Sequence, residues 1–396
     1  MSVPDPPVSG VEAAVAAEIR RHGPLPFDRV LELALYQPGA GFYERGGRAG
    51  GRSGDFLTSP EVGPLFGGVV ARALDQWWYQ LGRPSPYVVV EAGAGPGTLA
   101  RTVLAAAPAC ATALRYVLVE RSVAQRRLHA RHLPVEDPAL AFPPVDPDTG
   151  SPVAGGPAGP LCVSLADLPR VAGPAVVLAN ELLDDLPFGL AQRSVDRWDE
   201  VRVDLATGRG GPRLAERAVP LDARRSAALD RLVPVAAEGA RVALQEAARS
   251  WLREALAVAG AGGRVVVVDY VTTTADMATR PQGEWLRTYR AHGRAGGPLD
   301  DLGRQDVTCE VAVDQLALVR PPTSDRSQAD WLARHGLDDL VGEARSTWQE
   351  RAHVGDLAAL AARSRVLEAA ALTDRGGLGG FRVLEWAPGE APGEGG

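Results

Sequence analysis

The segment YVVVEAGAGPGTLA, residues 87–100, constrains the fold of this chain more than any other stretch. A β-branched run passes into glycines at every second position, and a helix-compatible sequence follows. A strand, a tight glycine loop and a helix in this order are typical of the first crossover in an open α/β sheet that binds a nucleotide. We therefore predict a nucleotide site at the loop of Gly93, Gly95 and Gly97.

Further short apolar stretches, separated by helical ones, predict the other strands of the sheet. The full set of predicted strands is YVVVEAG, LRYVLVE, LCVSL, AVVLAN, WDEVRVDL, GGRVVVVDY and GFRVLEWAP. Because strands that alternate with helices form parallel sheets, we expect an α/β fold with helices on both faces of a largely parallel sheet.

The distribution of helical, apolar and Pro/Gly-rich stretches divides the chain into five segments. We predict an N-terminal helical segment (1–86) and a Rossmann-like core (87–271) with a helical insertion near 222–259. A mostly helical lobe (272–372), the last core strand (373–387) and a disordered tail (388–396) follow.

Charge and cysteine content narrow the class of function. A formal net charge of −7 over 396 residues argues against nucleic-acid binding through the bulk field of the protein. The three cysteines lie far apart and the histidines lack metal-ligand spacing, so we expect neither a disulfide framework nor a metal. We see no secretory signal and no membrane-length apolar run, and we expect a soluble, cytoplasmic enzyme that does not act at a membrane.

Two acids discriminate between the nucleotides that such a glycine loop can bind. The dinucleotide fingerprint places its third glycine where this chain has Thr98. Glu91 ends the strand before the loop, where a carboxylate would repel a pyrophosphate but attract the ammonium and sulfonium groups of S-adenosylmethionine. Glu120 ends the next strand and suits the ribose hydroxyls of either nucleotide. We therefore predict S-adenosylmethionine as the ligand.

A second polar motif lies in PAVVLANELLDDLPFGLAQR, where an apolar strand is followed by Asn180, Glu181, Asp184 and Asp185. Acids at the carboxyl end of a strand lie in the crevice where open sheets bind ligands. The alternative is structural, with Asn180 as a helix N-cap and the acids favoured by the helix dipole. We take Glu181, Asp184 and Asp185 as candidate catalytic residues, and the sequence leaves open which of them acts as the base.

Three other residues keep two interpretations each. His292 in YRAHG is an alternative base or a structural histidine. Asp269 and Tyr270, at the end of a later strand, either line an acceptor pocket or cap the sheet.

Many ordered motifs together resemble the MidA-like class I methyltransferases, a family whose mitochondrial member is an arginine methyltransferase that assists respiratory complex I assembly. The motifs are LYQPGAGFY, GDFLTSPEVGPLFG, VEAGAGPGTLA, ANELLDDLP, VVVVDY, YRAHG, DVTCEV, QADWLARHGL and GFRVLEW. The resemblance spans nearly the whole chain and implies a Rossmann-like class I methyltransferase sheet of seven mostly parallel strands with an additional helical lobe.

The resemblance also implies roles for individual residues. It implies that the TSPE segment, with Thr58, Ser59, Pro60 and Glu61, borders the S-adenosylmethionine pocket beside the glycine loop. Asp167 follows the third strand and is expected near the adenine. Asn180 and Glu181 are expected where the methyl group is transferred.

This chain departs from the family pattern at several places. GAGPG replaces the usual GPGRG, Val271 replaces a glycine, Cys309 and Glu310 replace small and His residues, and GLGGF replaces a Met-Gly-acid pattern. The three loop glycines remain, so we expect the donor site to be intact. The other changes lie on the expected acceptor side and leave the acceptor open.

The preferred function is an S-adenosylmethionine-dependent methyltransferase, and the resemblance alone implies a protein arginine as its acceptor. An arginine guanidinium is protonated at neutral pH, so carboxylates must hold it and accept a proton. The alternatives are a client-binding assembly factor that retains the donor site and a small-molecule methyltransferase. A homodimer is an option because DQWWYQLG supplies aromatics suited to an interface or to the core.

Overall fold

The structure, a computed structural model, describes residues 10–45, 58–142, 157–208, 211–290 and 293–388. Within them the helices are α1 (Gly10–His22), α2 (Phe27–Tyr36), α3 (Ser59–Val62), α4 (Pro64–Gln80), α5 (Thr98–Ala105), α6 (Val123–His132), α7 (Pro138–Ala141), α8 (Ala223–Leu232), α9 (Glu246–Ala259), α10 (Thr274–Thr279), α11 (Gln282–Trp285), α12 (Val313–Ala317), α13 (Gln328–Arg334), α14 (Leu337–Arg351) and α15 (Leu357–Thr373).

The strands in the same part of the chain form one large sheet and three smaller ones. They are β1 (Leu25–Pro26), β2 (Tyr87–Ala92), β3 (Leu114–Val119), β4 (Leu161–Leu165), β5 (Ala175–Asn180), β6 (Gly189–Arg193), β7 (Trp198–Gly208), β8 (Gly211–Pro220), β9 (Arg241–Leu244), β10 (Arg264–Asp269), β11 (Val271–Thr272), β12 (Leu286–Arg290), β13 (Gly293–Arg294), β14 (Asp306–Cys309), β15 (Val311–Ala312), β16 (Ser324–Ser327) and β17 (Arg382–Trp386).

The large sheet has seven strands in the order β16-β17-β10-β5-β2-β3-β4. The five strands from β10 to β4 are parallel to one another, and β17 and β16 join antiparallel at one side. This confirms the predicted α/β fold with a mostly parallel seven-stranded sheet. All residues of β2 and β3 are buried, as a sheet covered on both faces requires.

The two faces of this sheet have separate hydrophobic cores, because side chains alternate along each strand. Tyr87 and Val89 of β2 belong to the core formed with α4, α5 and the α13–α14 helices. Val88 and Val90 belong to the opposite core, formed with α9. Trp77, one of the aromatics considered for an interface, lies in the first core and is 3% exposed.

One predicted strand lies in a different sheet from the one expected. WDEVRVDL forms part of β7, which pairs antiparallel with β1, β6 and β8 in a separate five-stranded sheet. Val201 and Val203 are buried whereas Arg202 and Asp204 are only partly so, an alternation typical of a sheet with one solvated face. The seventh strand of the large sheet, in place of the predicted WDEVRVDL, is β16, whose sequence SDRS contains no apolar residue.

Two segments contain more strand than the sequence predicted. The insertion near 222–259, expected to be helical, has strand β9 between α8 and α9. The expected helical lobe, 272–372, also contributes β12, β13 and β14 to a small sheet and β16 to the large one. Most of the expected disordered tail lies outside the described residues, as does most of the Gly- and Arg-rich loop before residue 58.

The carboxyl ends of β2, β3, β4, β5 and β10 meet at one edge of the large sheet because these strands are parallel. The chain that follows α2 reaches this edge, where Tyr43 is buried. Helix α2 itself packs on the five-stranded sheet, with Phe27 against Phe188. The fold thus places the N-terminal segment and five strand ends around one crevice.

Candidate active site

Two hollows at the carboxyl ends of the parallel strands contain most of the residues that the sequence singled out. The larger is lined by Gly93, Gly95, Glu120, Asp167, Glu181 and Asp185, among others. The other is lined by Thr58, Pro60, Glu91, Gly93, Gly95, Asn180 and Glu181, among others. Because Gly93, Gly95 and Glu181 line both hollows, the two are adjoining parts of one crevice.

Three predicted site residues line neither hollow. Gly97 is the N-cap of α5 behind the loop. Ser59 is fully buried, and its hydroxyl donates to Gln328 Oε1 at 2.8 Å. Asp184 is buried behind the crevice wall, where its backbone carbonyl accepts from the Cys309 N–H at 2.9 Å. These residues support the site from behind.

The glycine loop needs glycine for its backbone conformation. Gly93, Gly95 and Gly97 have φ of +69°, +52° and +83°, in the left-handed region that other residues adopt at a cost. A Cβ on Gly93 would lie 2.8 Å from Leu182 Cδ1, whereas a Cβ on Gly95 would meet nothing within 4 Å. Gly95 therefore faces open space, and it lines both hollows of the crevice.

Glu120 and His129 hold the loop from two sides. The Gly95 N–H donates to Glu120 Oε2 at 2.9 Å, and the Ser122 N–H donates to Oε1 at 2.7 Å. On the other side, His129 Nε2 lies 2.8 Å from the Gly95 carbonyl oxygen, to which it donates. His129 Nδ1, 2.8 Å from Ser164 Oγ, is then free to accept from that hydroxyl, and burial lowers the pKa of the ring.

Sequence reasoning missed His129. The basic stretch ERSVAQRRLHARH, residues 120–132, suggests a solvated helix face, but the His129 side chain is fully buried. Its position near the end of α6, facing the adjacent strand, could be found only by placing the helix over the sheet.

Glu91 is buried at the end of β2, directly before the loop. Its Oε2 accepts from the Tyr116 hydroxyl at 2.7 Å, and the Ala100 backbone N–H also donates to the carboxylate. Burial raises the pKa of Glu91 to about 7, against the opposing effect of these two hydrogen bonds. A cation beside a buried carboxyl group favours its ionised form and lowers its pKa.

Glu181 connects the TSPE segment to the strand end at Asn180. Its φ is +51°, and non-glycine residues in this region are concentrated at functional sites. The Asn180 Nδ2 donates to its Oε1 at 3.0 Å, and the Ser59 backbone N–H also donates to the carboxylate. Burial, with a further contribution from Asp269, raises the pKa of Glu181 to about 8.

Asp269 fixes the turn that carries the candidate catalytic acids. Its carboxylate accepts from the backbone N–H of Leu183 at 2.9 Å and of Tyr270 at 2.8 Å, and the N–H groups of the two residues flanking Leu183 also contribute. Burial raises its pKa to about 7 despite these bonds. Asp269 was expected either to line an acceptor pocket or to cap the sheet, and these bonds to backbone N–H groups are capping contacts.

Five acids form what we call the acid cluster: Glu181, Asp184, Asp185, Asp269 and Asp306. The Tyr43 hydroxyl lies 2.6 Å from Asp185 Oδ2 and 3.2 Å from both carboxylate oxygens of Asp306. Burial and mutual repulsion raise the pKa of Asp184 and of Asp185 well above the usual range.

The acid cluster has unused acceptor capacity. Among the described residues, Oδ1 of Asn180, of Asp184 and of Asp185 is buried without a hydrogen-bond partner. No ion pair between described residues involves Glu181, Asp184 or Asp185. Buried acids of this kind are stabilised when a hydrogen-bonding cation binds them.

His292, the alternative base, lies outside the described residues. Within the described ranges, no cluster of three or more His, Cys, Asp or Glu side chains could hold a metal ion. No helix in the same part of the chain combines the length and apolar character needed to cross a membrane.

The fold and the crevice define an α/β protein of the class whose ligands bind at the carboxyl edge of the parallel sheet. A family profile described as S-adenosyl-L-methionine-dependent methyltransferase matches residues 69–324. The chain belongs to this family of S-adenosylmethionine-dependent methyltransferases, which confirms the predicted enzyme class and co-substrate.

A solved structure and several curated proteins are similar to the chain. A Burkholderia thailandensis protein bound to S-adenosyl-homocysteine superposes with a TM-score of 0.74 at 26% identity, over 98% of this chain and 95% of that one. The Drosophila melanogaster protein arginine methyltransferase NDUFAF7 homolog, mitochondrial, is 33% identical over 211 residues, 51% of this chain and 46% of the relative. The Danio rerio protein arginine methyltransferase NDUFAF7, mitochondrial, is 27% identical over 360 residues, 83% and 76% respectively.

These comparisons bear on two expectations. They confirm the resemblance to MidA-like methyltransferases, although the match spans less than half the length of the fly relative. They contradict the predicted cytoplasmic location, because the fly, zebrafish and human relatives are all mitochondrial proteins by name.

Proposed function

We propose that this methyltransferase transfers the methyl group of S-adenosylmethionine to a protein arginine, whose guanidinium binds the acid cluster. The observation that carries the proposal is the buried, unsatisfied Oδ1 of Asp185, which lines the same hollow as Glu181. A guanidinium is planar, always charged and rich in donors, and it is the side chain that matches such acids best.

The donor half of the crevice suits S-adenosylmethionine. Glu120 lies at the end of β3 and Asp167 just after β4, positions suited to the ribose and the adenine. Glu91 and the unsatisfied Oδ1 of Asn180 lie on the side of the TSPE segment, where acceptors suit an ammonium group. Bound there, S-adenosylmethionine supplies an activated methyl group, and the protein's main contribution is alignment of the nucleophile.

Glu181 lines both hollows, and this position suits a residue that contacts both donor and acceptor. Its pKa of about 8 is close to neutral pH, where a general base works most efficiently. Asp185 lines the larger hollow and suits the role of holding the positive charge, whereas Asp184 supports the site from behind the crevice wall. In this scheme Glu181 takes the proton that the guanidinium loses on methylation.

The curated relatives support the acceptor class, since their names describe protein arginine methyltransferases. Because the chain matches less than half the length of the fly and human proteins, their whole activity is carried over here only as a proposal.

Methylation of arginine-containing protein extracts with labelled S-adenosylmethionine, followed by mass spectrometry of the modified residue, tests the proposal. We expect methylarginine with the wild-type chain and its loss in Asp185→Asn. S-adenosylhomocysteine should bind Asp185→Asn within about threefold of wild type, since the lost interaction belongs to the acceptor. Asp204→Asn, at a partly buried acid of the five-stranded sheet paired with Arg217 and away from the crevice, is the control and should retain activity.

The outcomes separate the alternatives for this site. Donor binding without methylation of any extract would favour a client-binding assembly factor over an arginine methyltransferase. Methylation confined to the small-molecule fraction would contradict the protein acceptor. No S-adenosylhomocysteine binding by the wild-type chain would contradict the donor site itself.

A further inference from the structure

A second polar cavity lies at the opposite edge of the large sheet from the crevice. It has a volume of about 230 Å³, and its lining includes Arg264, Ser324, Arg326, Arg334 and His335. Arg264 is the first residue of β10, whereas Asp269 of the acid cluster is the last. Five residue steps along a strand span about 16 Å, so the cavity is separate from the methyltransferase site.

Arginines dominate the charged lining of the cavity. Of the residues that the structure describes, three guanidinium groups and one carboxylate, that of Glu385, line it. Both oxygens of Glu385 are already engaged, one by Arg264 at 2.6 Å and the other by the Trp331 indole N–H at 2.8 Å. Within the described part of the chain, the Arg326 side chain has neither a hydrogen bond nor an ion pair. An anion entering the cavity therefore meets the uncompensated donors of Arg326.

His335 gives the cavity a buried group that lacks a partner. The ring is 4% exposed and packs against Trp331, with ring centres 4.4 Å apart. Its Nδ1 lies 2.7 Å from Gln76 Oε1, and because that oxygen can only accept, Nδ1 carries the proton. Its Nε2 is buried without a hydrogen-bond partner among the described residues.

The charge state of His335 determines what Nε2 can accept. Burial, together with Arg334, Arg264 and Arg326, lowers the pKa of the imidazole to about 4. The ring is therefore neutral at pH 7, and Nε2 offers a lone pair to a ligand O–H. Ser324 adds a buried hydroxyl that also lacks a partner in the described ranges and can donate to an anionic oxygen.

We propose that this cavity binds a small phosphate-bearing ligand that also carries an O–H group, such as hydrogen phosphate or a hydroxylated phosphate ester. Arg326 and Arg334 bind the anionic oxygens, Ser324 donates to one of them, and the ligand O–H donates to His335 Nε2. Arginine matches the geometry of phosphate oxygens, and a volume of about 230 Å³ restricts the ligand to small anions.

Isothermal titration of the full chain with sodium phosphate, sodium sulfate and glycerol 3-phosphate at pH 7.5 tests this site. Sulfate has the size and charge of hydrogen phosphate but no proton to give to His335. We therefore expect phosphate to bind about tenfold or more tightly than sulfate, the usual penalty for an unpaired buried polar group. If inorganic phosphate binds more tightly, the ligand of the cavity is the free anion. If glycerol 3-phosphate binds more tightly, the ligand is a phosphate ester.

The variants test whether binding occurs in this cavity. Arg326→Gln should weaken phosphate binding about tenfold, as expected for loss of a charge-assisted hydrogen bond. Ser324→Ala should weaken it by a smaller factor. The control is Arg382→Gln, an arginine on the neighbouring β17 that pairs with Asp325 and does not line the cavity. Its phosphate affinity should match that of the wild type.

Three results would overturn the proposal: no phosphate or ester binding, equal affinity for sulfate and phosphate, or equal losses in Arg326→Gln and Arg382→Gln. S-adenosylhomocysteine titrated into Arg326→Gln should bind as in the wild type, because the two sites lie at opposite edges of the sheet. Failure of the phosphate site is therefore distinguishable from failure of the arginine methyltransferase proposal.

Discussion

The Tyr43 hydroxyl lies 2.6 Å from Asp185 Oδ2, although the two residues are 142 positions apart in the chain. The same hydroxyl lies 3.2 Å from both oxygens of Asp306. A phenol has one proton and can donate to only one carboxylate at a time, so the second acid bonds to it only when that acid is itself protonated. The N-terminal segment thus supplies a group through which two acids share protons.

Tyr43→Phe should reduce methyl transfer by about tenfold or more while leaving donor affinity within about threefold, because it removes a hydrogen bond to a charged group on the acceptor side. Radiolabelled methyl transfer and S-adenosylhomocysteine titration measure the two effects. Tyr79→Phe, at a residue 50% exposed on α4, is the control. Equal activity in the two variants would show that the Tyr43 hydroxyl does not contribute to methyl transfer.

The strand ends that form the crevice could be predicted from sequence because each has a local signal. Buried parallel strands appear as unbroken apolar runs, and the polar residue that follows each run must lie at the carboxyl edge. This reasoning brings Glu91, Glu120 and Glu181 to one crevice, the family resemblance adds Asp167, and in the structure all four line it.

The positions of the remaining residues could not be predicted. Tyr43, His129 and Asp306 contact crevice residues only through packing of distant segments, and the motifs LYQPGAGFY and DVTCEV, which contain Tyr43 and Asp306, do not indicate that packing. Strand β16 forms by backbone pairing with β17 and has no apolar residue to reveal it. In the five-stranded sheet, β6, β7 and β8 follow one another closely, but only the β7 segment was predicted as a strand, and β1 joins from a distant part of the chain.

Gly95→Ala should abolish donor binding, with a loss of stability no larger than that of a matched glycine away from the site. Its φ of +52° costs about 1–2 kcal/mol for a residue with a Cβ. That Cβ meets no protein atom within 4 Å, so it occupies space in the crevice instead. Gly82→Ala is a matched control, with φ of +78° and the same open surroundings away from the site. If both variants bind S-adenosylhomocysteine equally, the loop does not contact the donor.

Glu91→Gln should weaken S-adenosylmethionine binding and remove part of its pH dependence. The pKa of Glu91 is raised to about 7 by burial, so the carboxyl group is largely neutral at pH 6 and ionised at pH 8. A cationic donor binds the ionised form better, so wild-type affinity should rise between pH 6 and pH 8. Calorimetric titrations at several pH values measure this. A variant with the wild-type slope would show that Glu91 does not face the positive charge.

The acid cluster should make the ligand-free protein less stable as pH rises from about 5 to 8. Burial raises the pKa of Glu181 to about 8 and that of Asp269 to about 7, above their unfolded values of 4.5 and 3.8. In this window the folded state therefore binds more protons than the unfolded state, and the free energy of unfolding falls as pH increases. Thermal melts should show a lower melting temperature at pH 8 than at pH 5.5, with a shallower decline in Glu181→Gln. Asp330→Asn, at an exposed acid whose pKa is lowered by its bonds to Ser327 and Arg375, should keep the wild-type slope. An unchanged slope in Glu181→Gln would mean that Glu181 is already ionised in the folded protein.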